Sequence, residues 1–327
     1  MTGPLTPRPC DGPRPARPPQ PLAVSSRTIQ LGLGGLWLLD GALQLQPAMF
    51  GRGFVYAITV NDVMEQPTAL AHALTSVVGI AEPHLVVFNS LFAATQLAIG
   101  LGMLYRPTVR VAILASIAWG LWVWMFGEGL GGLFTGLASL PTGAPGPVLL
   151  YPLIGLVAWP VGHPPERPGR HRRAGWVGER GARIVWAGLW LGGAFLQLQP
   201  SYPFWMSLGS AFAASAAPAP LAALDQVVWH LAVTLGEPLT VGLAVWEAAI
   251  GLTVLRRFHS ALFLRLGIVT SVVFWVAGQN LGGVLSGTAT DPSSGPLFVL
   301  LALSLLPAAR SSNEHARAGS SGSLTPA

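Results

Sequence analysis

The sequence contains no lysine, a single cysteine and few charges of either sign: 9% of its 327 residues are charged. Each shortage excludes something. One cysteine, Cys10, forms no internal disulfide and builds no thiolate metal or iron–sulfur centre. No HExxH, nucleophile elbow or lysine-bearing phosphate loop occurs, so hydrolase, protease and nucleotide readings have no motif to rest on. A soluble domain carries about 25% charged residues. A soluble chain this poor in charge would expose large apolar patches.

What is present points to a bilayer. The chain is 51% hydrophobic, with Gly 40 and Trp 12, and glycine is enriched in membrane helices. Every basic residue is arginine, and the net charge is +5. The arginines stand in short segments between apolar runs, which is a topology signal and not a nucleic-acid footprint. We therefore expect an all-α integral membrane protein in contact with the lipid bilayer, with no nucleic-acid partner.

A spanning helix needs roughly 20 mostly apolar residues. Eight segments are predicted to span: 28–47, 85–104, 109–127, 147–162, 182–198, 239–255, 261–278 and 296–309, the fourth and eighth being short. With the N-terminus inside, the cytoplasmic segments hold every arginine except Arg52. The positive-inside rule then favours a multi-pass cell-membrane protein with both termini cytoplasmic.

The chain also repeats itself. "GLWLLDGALQLQP" (35–47) matches "GLWLGGAFLQLQP" (188–200), "IGLGMLYR" (99–106) matches "IGLTVLRR" (250–257), and "GEGLGGLFTG" (127–136) matches "GQNLGGVLSG" (278–287). Matching blocks in one order predict a tandem duplication of a four-span unit. An even span number gives both units the same orientation. The expected organisation is a tail at 1–27, a first repeat at 28–162, a polar cytoplasmic linker at 163–181, a second repeat at 182–309 and a tail at 310–327. The glycine-rich copies read as tight buried turns between the third and fourth spans of each unit, with a ligand-cradling loop as the alternative.

Ionisable and amide groups inside spans are costly and point to function. Asp40, Asn89, Gln96 and Glu247 form the candidate intramembrane site. Asp40 pairs with Gly193 across the repeat and Gln96 with Glu247, so the halves differ. A carboxyl there can donate to a quinone-like carbonyl or carry a proton. The paired glutamines of "QLQP" read as interhelical hydrogen-bonding groups. On the outer face, His72, Glu82, His84, Glu128, His230, Glu237, Gln279 and Asn280 form a second candidate group. His72 and His230 each precede a Glu-Pro, but at different spacings, and no span holds a histidine pair, so no metal is assigned. The stretches 67–84 and 220–238 are each predicted to form an interfacial helix.

The first-span motif "GLWLLDGALQLQP" and "WEAAIGLTVLRRFHSALFLRLG" (246–267), an acidic residue followed by a small-apolar run and an arginine turn, resemble the DoxX/DoxD-like membrane family. The resemblance covers spans one to three of each unit. It implies a membrane redox component linked to quinone, with a membrane or extracytoplasmic redox partner protein. Glu247 then takes the family's acidic position and Arg257 its basic turn, while Gln96 breaks the pattern in the first unit. On this reading Asp40, Glu247, Trp246 and Trp275 line a lipid-accessible cleft. Two other functions stay open: a transporter or solute-binding bundle in which Asp40, Gln96 and Glu247 face one another, and a non-catalytic scaffold or assembly factor.

Overall fold

The computed structural model describes residues 24–58, 63, 65–160, 175–199, 202–214 and 217–306. Most of both expected tails and of the linker at 163–181 lies outside the described residues. Among the described residues the chain is helical, with no strand. Twelve α-helices follow in order: α1 (Ser26–Leu43), α2 (Arg52–Ile58), α3 (Thr68–Ala81), α4 (Leu85–Leu104), α5 (Val109–Phe126), α6 (Pro147–Val157), α7 (Gly178–Gln197), α8 (Phe204–Ala214), α9 (Ala219–Leu235), α10 (Glu237–Leu255), α11 (Ser260–Ala277) and α12 (Ser294–Leu305).

Four stretches are long and apolar enough to cross a membrane: Thr68–Leu104, Arg106–Phe126, Glu237–Leu255 and Ser260–Ala277. Their outward faces carry exposed Leu91, Leu101, Val111, Leu114, Val245, Val269 and Val273. Water does not tolerate a continuous surface of that kind. Lipid does.

The expected helix ends need correction. α1 stops at Leu43, four residues before Pro47, whose ring disfavours helical backbone just ahead of it. α6 stops at Val157 ahead of Pro160, and α12 at Leu305 ahead of Pro307. α7 starts at Gly178, so the end of the expected linker is helical. α3 and α9 occupy the expected interfacial stretches. The short α2 and α8 were not anticipated.

α1, α6, α7 and α12 pack together in the middle, while α4 lies on α1, α10 on α7, and α5 and α11 flank α6 and α12. Trp37, Tyr151, Trp186, Trp190 and Phe298 are buried in this core. The rings of Trp37 and Tyr151 lie 4.3 Å apart, and Trp190 meets Phe298 edge-on at 5.6 Å. In lipid the drive for such packing is close contact between helices. Gly34 and Gly100 supply it between α1 and α4: a Cβ on Gly100 would stand 2.9 Å from the Gly34 carbonyl.

Arginines fasten one end of the bundle. Arg27, at the start of α1, donates to the carbonyls of Met103, at 2.8 Å, and Leu104. Arg183, near the start of α7, donates to the Val254 carbonyl at 2.9 Å. Both guanidiniums thereby satisfy the open carbonyls at a helix C-terminus, the negative end of its dipole. The same contacts make α1 antiparallel to α4, and α7 antiparallel to α10.

Candidate functional site

At the end opposite these arginines the chain folds back twice. After α5 and after α11 it makes a short 3-10 turn, Gly129–Gly132 and Asn280–Gly283, in which Leu130, Gly131, Leu281 and Gly282 all have positive φ. A Cβ on Gly131 would run into the Pro145 carbonyl, and one on Gly282 into Pro292. Trp124 Nε1 donates to the Pro145 carbonyl at 2.7 Å, and Trp275 Nε1 to the Pro292 carbonyl at 2.7 Å. Glu128 Oε1 accepts from Val148 N at 3.1 Å, while Gln279 Oε1 accepts from Gly295 N at 3.2 Å. Each bond satisfies an otherwise open N–H in the first turn of α6 or α12. The glycine-rich copies are therefore tight, half-buried turns that cap the following helix.

The turns also wall a cavity of about 920 Å³. It runs between α1, α3, α4, α5, α8 and both loops. Asp40, Gln44, Glu65, Gln96, Glu128, Tyr202 and Asp291 are among the polar groups that line it. Most of its wall is apolar and aromatic. Trp119 and Trp122 stack with centroids 5.2 Å apart, and Phe92 meets both edge-on.

Asp40 is 1% exposed, and neither carboxylate oxygen has a hydrogen-bond partner. Burial is the largest influence on this carboxyl, ahead of the Asp291 carboxyl and the neighbouring Tyr151 hydroxyl, which falls short of hydrogen-bond geometry. Asp291 itself is held by Ser293 N at 2.7 Å and Thr290 Oγ1 at 2.8 Å. Gln96 Oε1 is likewise buried without a partner. An unpaired buried acceptor is costly in an apolar setting. Tyr202 Oη donates to Glu65 Oε2 at 2.9 Å, and this bond raises the tyrosine's ionisation above its ordinary range.

No family of known proteins, no curated protein and no solved structure matches this chain. The site is accordingly read from its own residues.

Of the expected intramembrane group, the structure brings Asp40 and Gln96 together. Asn89 is fully buried but serves a different end. Its Nδ2 donates to the Gln44 carbonyl at 2.9 Å, and its Oδ1 accepts from Gln44 Nε2, clasping α4 to the end of α1. Glu247 is 0% exposed, with both oxygens unpartnered, yet it does not line the cavity. It lies against Gly193, where a Cβ would stand 3.1 Å from its Oε2. Leu140, from the loop before α6, fills the space beside Gly193. Leu140 thus occupies the space that a side chain at Gly193, the sequence match of Asp40, would fill. Asp40 and Gln96 share a cavity that Glu247 does not line. Trp246 instead donates to Thr270 Oγ1 at 3.0 Å, and neither Trp246 nor Trp275 lines the cavity.

The outer-face group does not assemble. His72, Glu82, His84, His230 and Glu237 are exposed, and no cluster of three metal-ligating side chains occurs among the described residues. Glu128 and Gln279 are the capping residues described above. Asn280 Nδ2 donates to Asp225 Oδ2. Sequence reasoning missed Tyr151, the one tyrosine of the core helices, and Asp291, hidden in a polar loop. It also passed over Trp119 and Trp122 among many tryptophans.

Proposed function

We propose that the chain is a multi-pass membrane protein of eight spans, built from two four-span repeats in parallel orientation, that binds a small amphipathic solute in the cavity around Asp40. The recurrent turns, with Trp124 and Trp275 on matching proline carbonyls, support the duplication. The arginine contacts at one end support a cytoplasmic placement of both termini. α6 and α12 are too short to cross alone, and each is entered from a folded-in, half-buried turn. The single observation that carries the binding function is the unpartnered Asp40 carboxyl in an aromatic-lined cavity. Ligand sites combine a mostly apolar wall with a few convergent polar groups.

The test compares the protein with an Ala138→Trp variant that fills the cavity from its wall. Small molecules co-purifying with each are extracted and identified by mass spectrometry. A compound retained by the wild type and lost from an equally folded variant supports the reading. Identical extracts contradict it.

A second reading follows the DoxX-like resemblance. The Trp119 indole N–H has no partner and borders the cavity, so it can donate to a quinone carbonyl. Reduction of a short-chain quinone dependent on Trp119 and Asp40 would favour that reading.

A further inference from the structure

The cavity carries a charge pattern that narrows its ligand. Four carboxyl groups line it: Asp40, Glu65, Glu128 and Asp291. No arginine or histidine stands among its described lining residues. Asp40 and Asp291 both line the cavity, and like charges sharing a site of low dielectric are mutually unfavourable when both are ionised. A positive charge between them would relieve that repulsion. Among the buried lining atoms without a partner, both oxygens of Asp40 and Gln96 Oε1 are acceptors that call for N–H donors, while Trp119 Nε1 is a donor.

The wall supplies the complement. The stacked Trp119–Trp122 pair and Phe92 line the cavity, and such rings carry electron-rich π faces. Such faces attract cations and shelter the apolar body that carries them. An anion would meet four carboxyls and no cation. A neutral carbonyl compound offers no donor to Gln96 Oε1 and pairs with Asp40 only while that carboxyl is protonated.

We propose that the cavity takes an organic monocation, an amine with an aromatic or alkyl body, its ammonium against Asp40 and its body against Trp119 and Trp122. This rests on the reading of the cavity as a ligand site. The geometry sets an order: Asp40 is the anchor, Asp291 and Glu128 add longer-range attraction, and the tryptophans select for bulk.

The test uses the full chain in detergent with Cys10→Ser and Ala138→Cys, leaving one thiol on the cavity wall. Alkylation of that thiol is timed with phenethylammonium, with its neutral alcohol isostere, with a phenylalkyl carboxylate and with a short-chain quinone. The ammonium is expected to protect at a concentration about tenfold below the alcohol, which corresponds to about 1.4 kcal/mol. The carboxylate should not protect. In Asp40→Asn the ammonium advantage should disappear while the melting temperature is kept. The isostere comparison in the Asp40 protein stands even if that variant misfolds. Protection by the alcohol or the quinone at equal or lower concentration than the ammonium overturns the cationic class and leaves the cavity as a ligand site. Protection by none of the four overturns both.

Discussion

Asp225 Oδ2 accepts a hydrogen bond from Asn280 Nδ2 at 2.9 Å, which fastens α9 to the second glycine-rich turn. Burial raises the Asp225 carboxyl above the usual range, and the Asn280 bond opposes that shift. An acid raised in the fold favours the folded state most below its unfolded value, near pH 4. Stability is then lost as pH rises through the folded value. Asp225→Asn keeps an acceptor for Asn280 and removes this dependence. Its melting temperature should equal or exceed that of the wild type at neutral pH and fall level with it near pH ~4. Asp225→Leu removes the acceptor and should destabilise by about 1–3 kcal/mol.

Gly131 and Gly282 combine positive φ with backbone contact to a proline residue. Alanine at either position adds a strained conformation of about 1 kcal/mol and an overpacking penalty of about 1–3 kcal/mol. Each variant should melt well below wild type. Alanine at Gly188, which has open space around it, should not.

Glu128 separates a structural role from an electrostatic one. Glu128→Gln keeps an acceptor for Val148 N and should melt close to wild type. Ammonium protection of the cavity thiol should nonetheless weaken several-fold, because one carboxylate is gone. Glu128→Ala removes the cap as well and should lose about 1–3 kcal/mol of stability. Equal protection in Glu128→Gln and wild type would remove this carboxylate from the ligand's field.

Leu140 and Gly193 should be coupled. Gly193→Asp places a carboxyl at the position matched to Asp40, but Leu140 occupies that space. The single variant is expected to lose about 2–4 kcal/mol through clash and buried charge. Adding Leu140→Ala should recover part of that loss. A double-mutant cycle with no coupling between them would contradict that occupancy.

Much of the fold was legible. Long apolar runs and the paired "GLW…QLQP" and glycine-rich blocks located the long helices and both turns. Proline positions could have placed the ends of α1, α6 and α12 more tightly. The short helices α2 and α8 carry little periodic signal, so the external segments read as loops with one helix each. The site was half legible. Asp40 and Gln96 stood out as polar groups in apolar runs, but Glu247 stood out equally, and only the folded structure shows that it lies outside the cavity, against Gly193. Asp291 gave no signal, because an aspartate in "TATDPSS" reads as a solvated turn until the loop is seen folded over the end of α1. The histidines misled for the opposite reason: matching positions in sequence do not converge in space.

Thiol labelling on intact cells tests the central claim most directly. Ala138→Cys and Arg256→Cys are each introduced with Cys10→Ser, and a membrane-impermeant thiol reagent is applied before and after permeabilisation. The account predicts that the Ala138→Cys thiol in the cavity is labelled from outside, while the thiol at Arg256→Cys is labelled only after the membrane is opened. Labelling of both from the same side would contradict it.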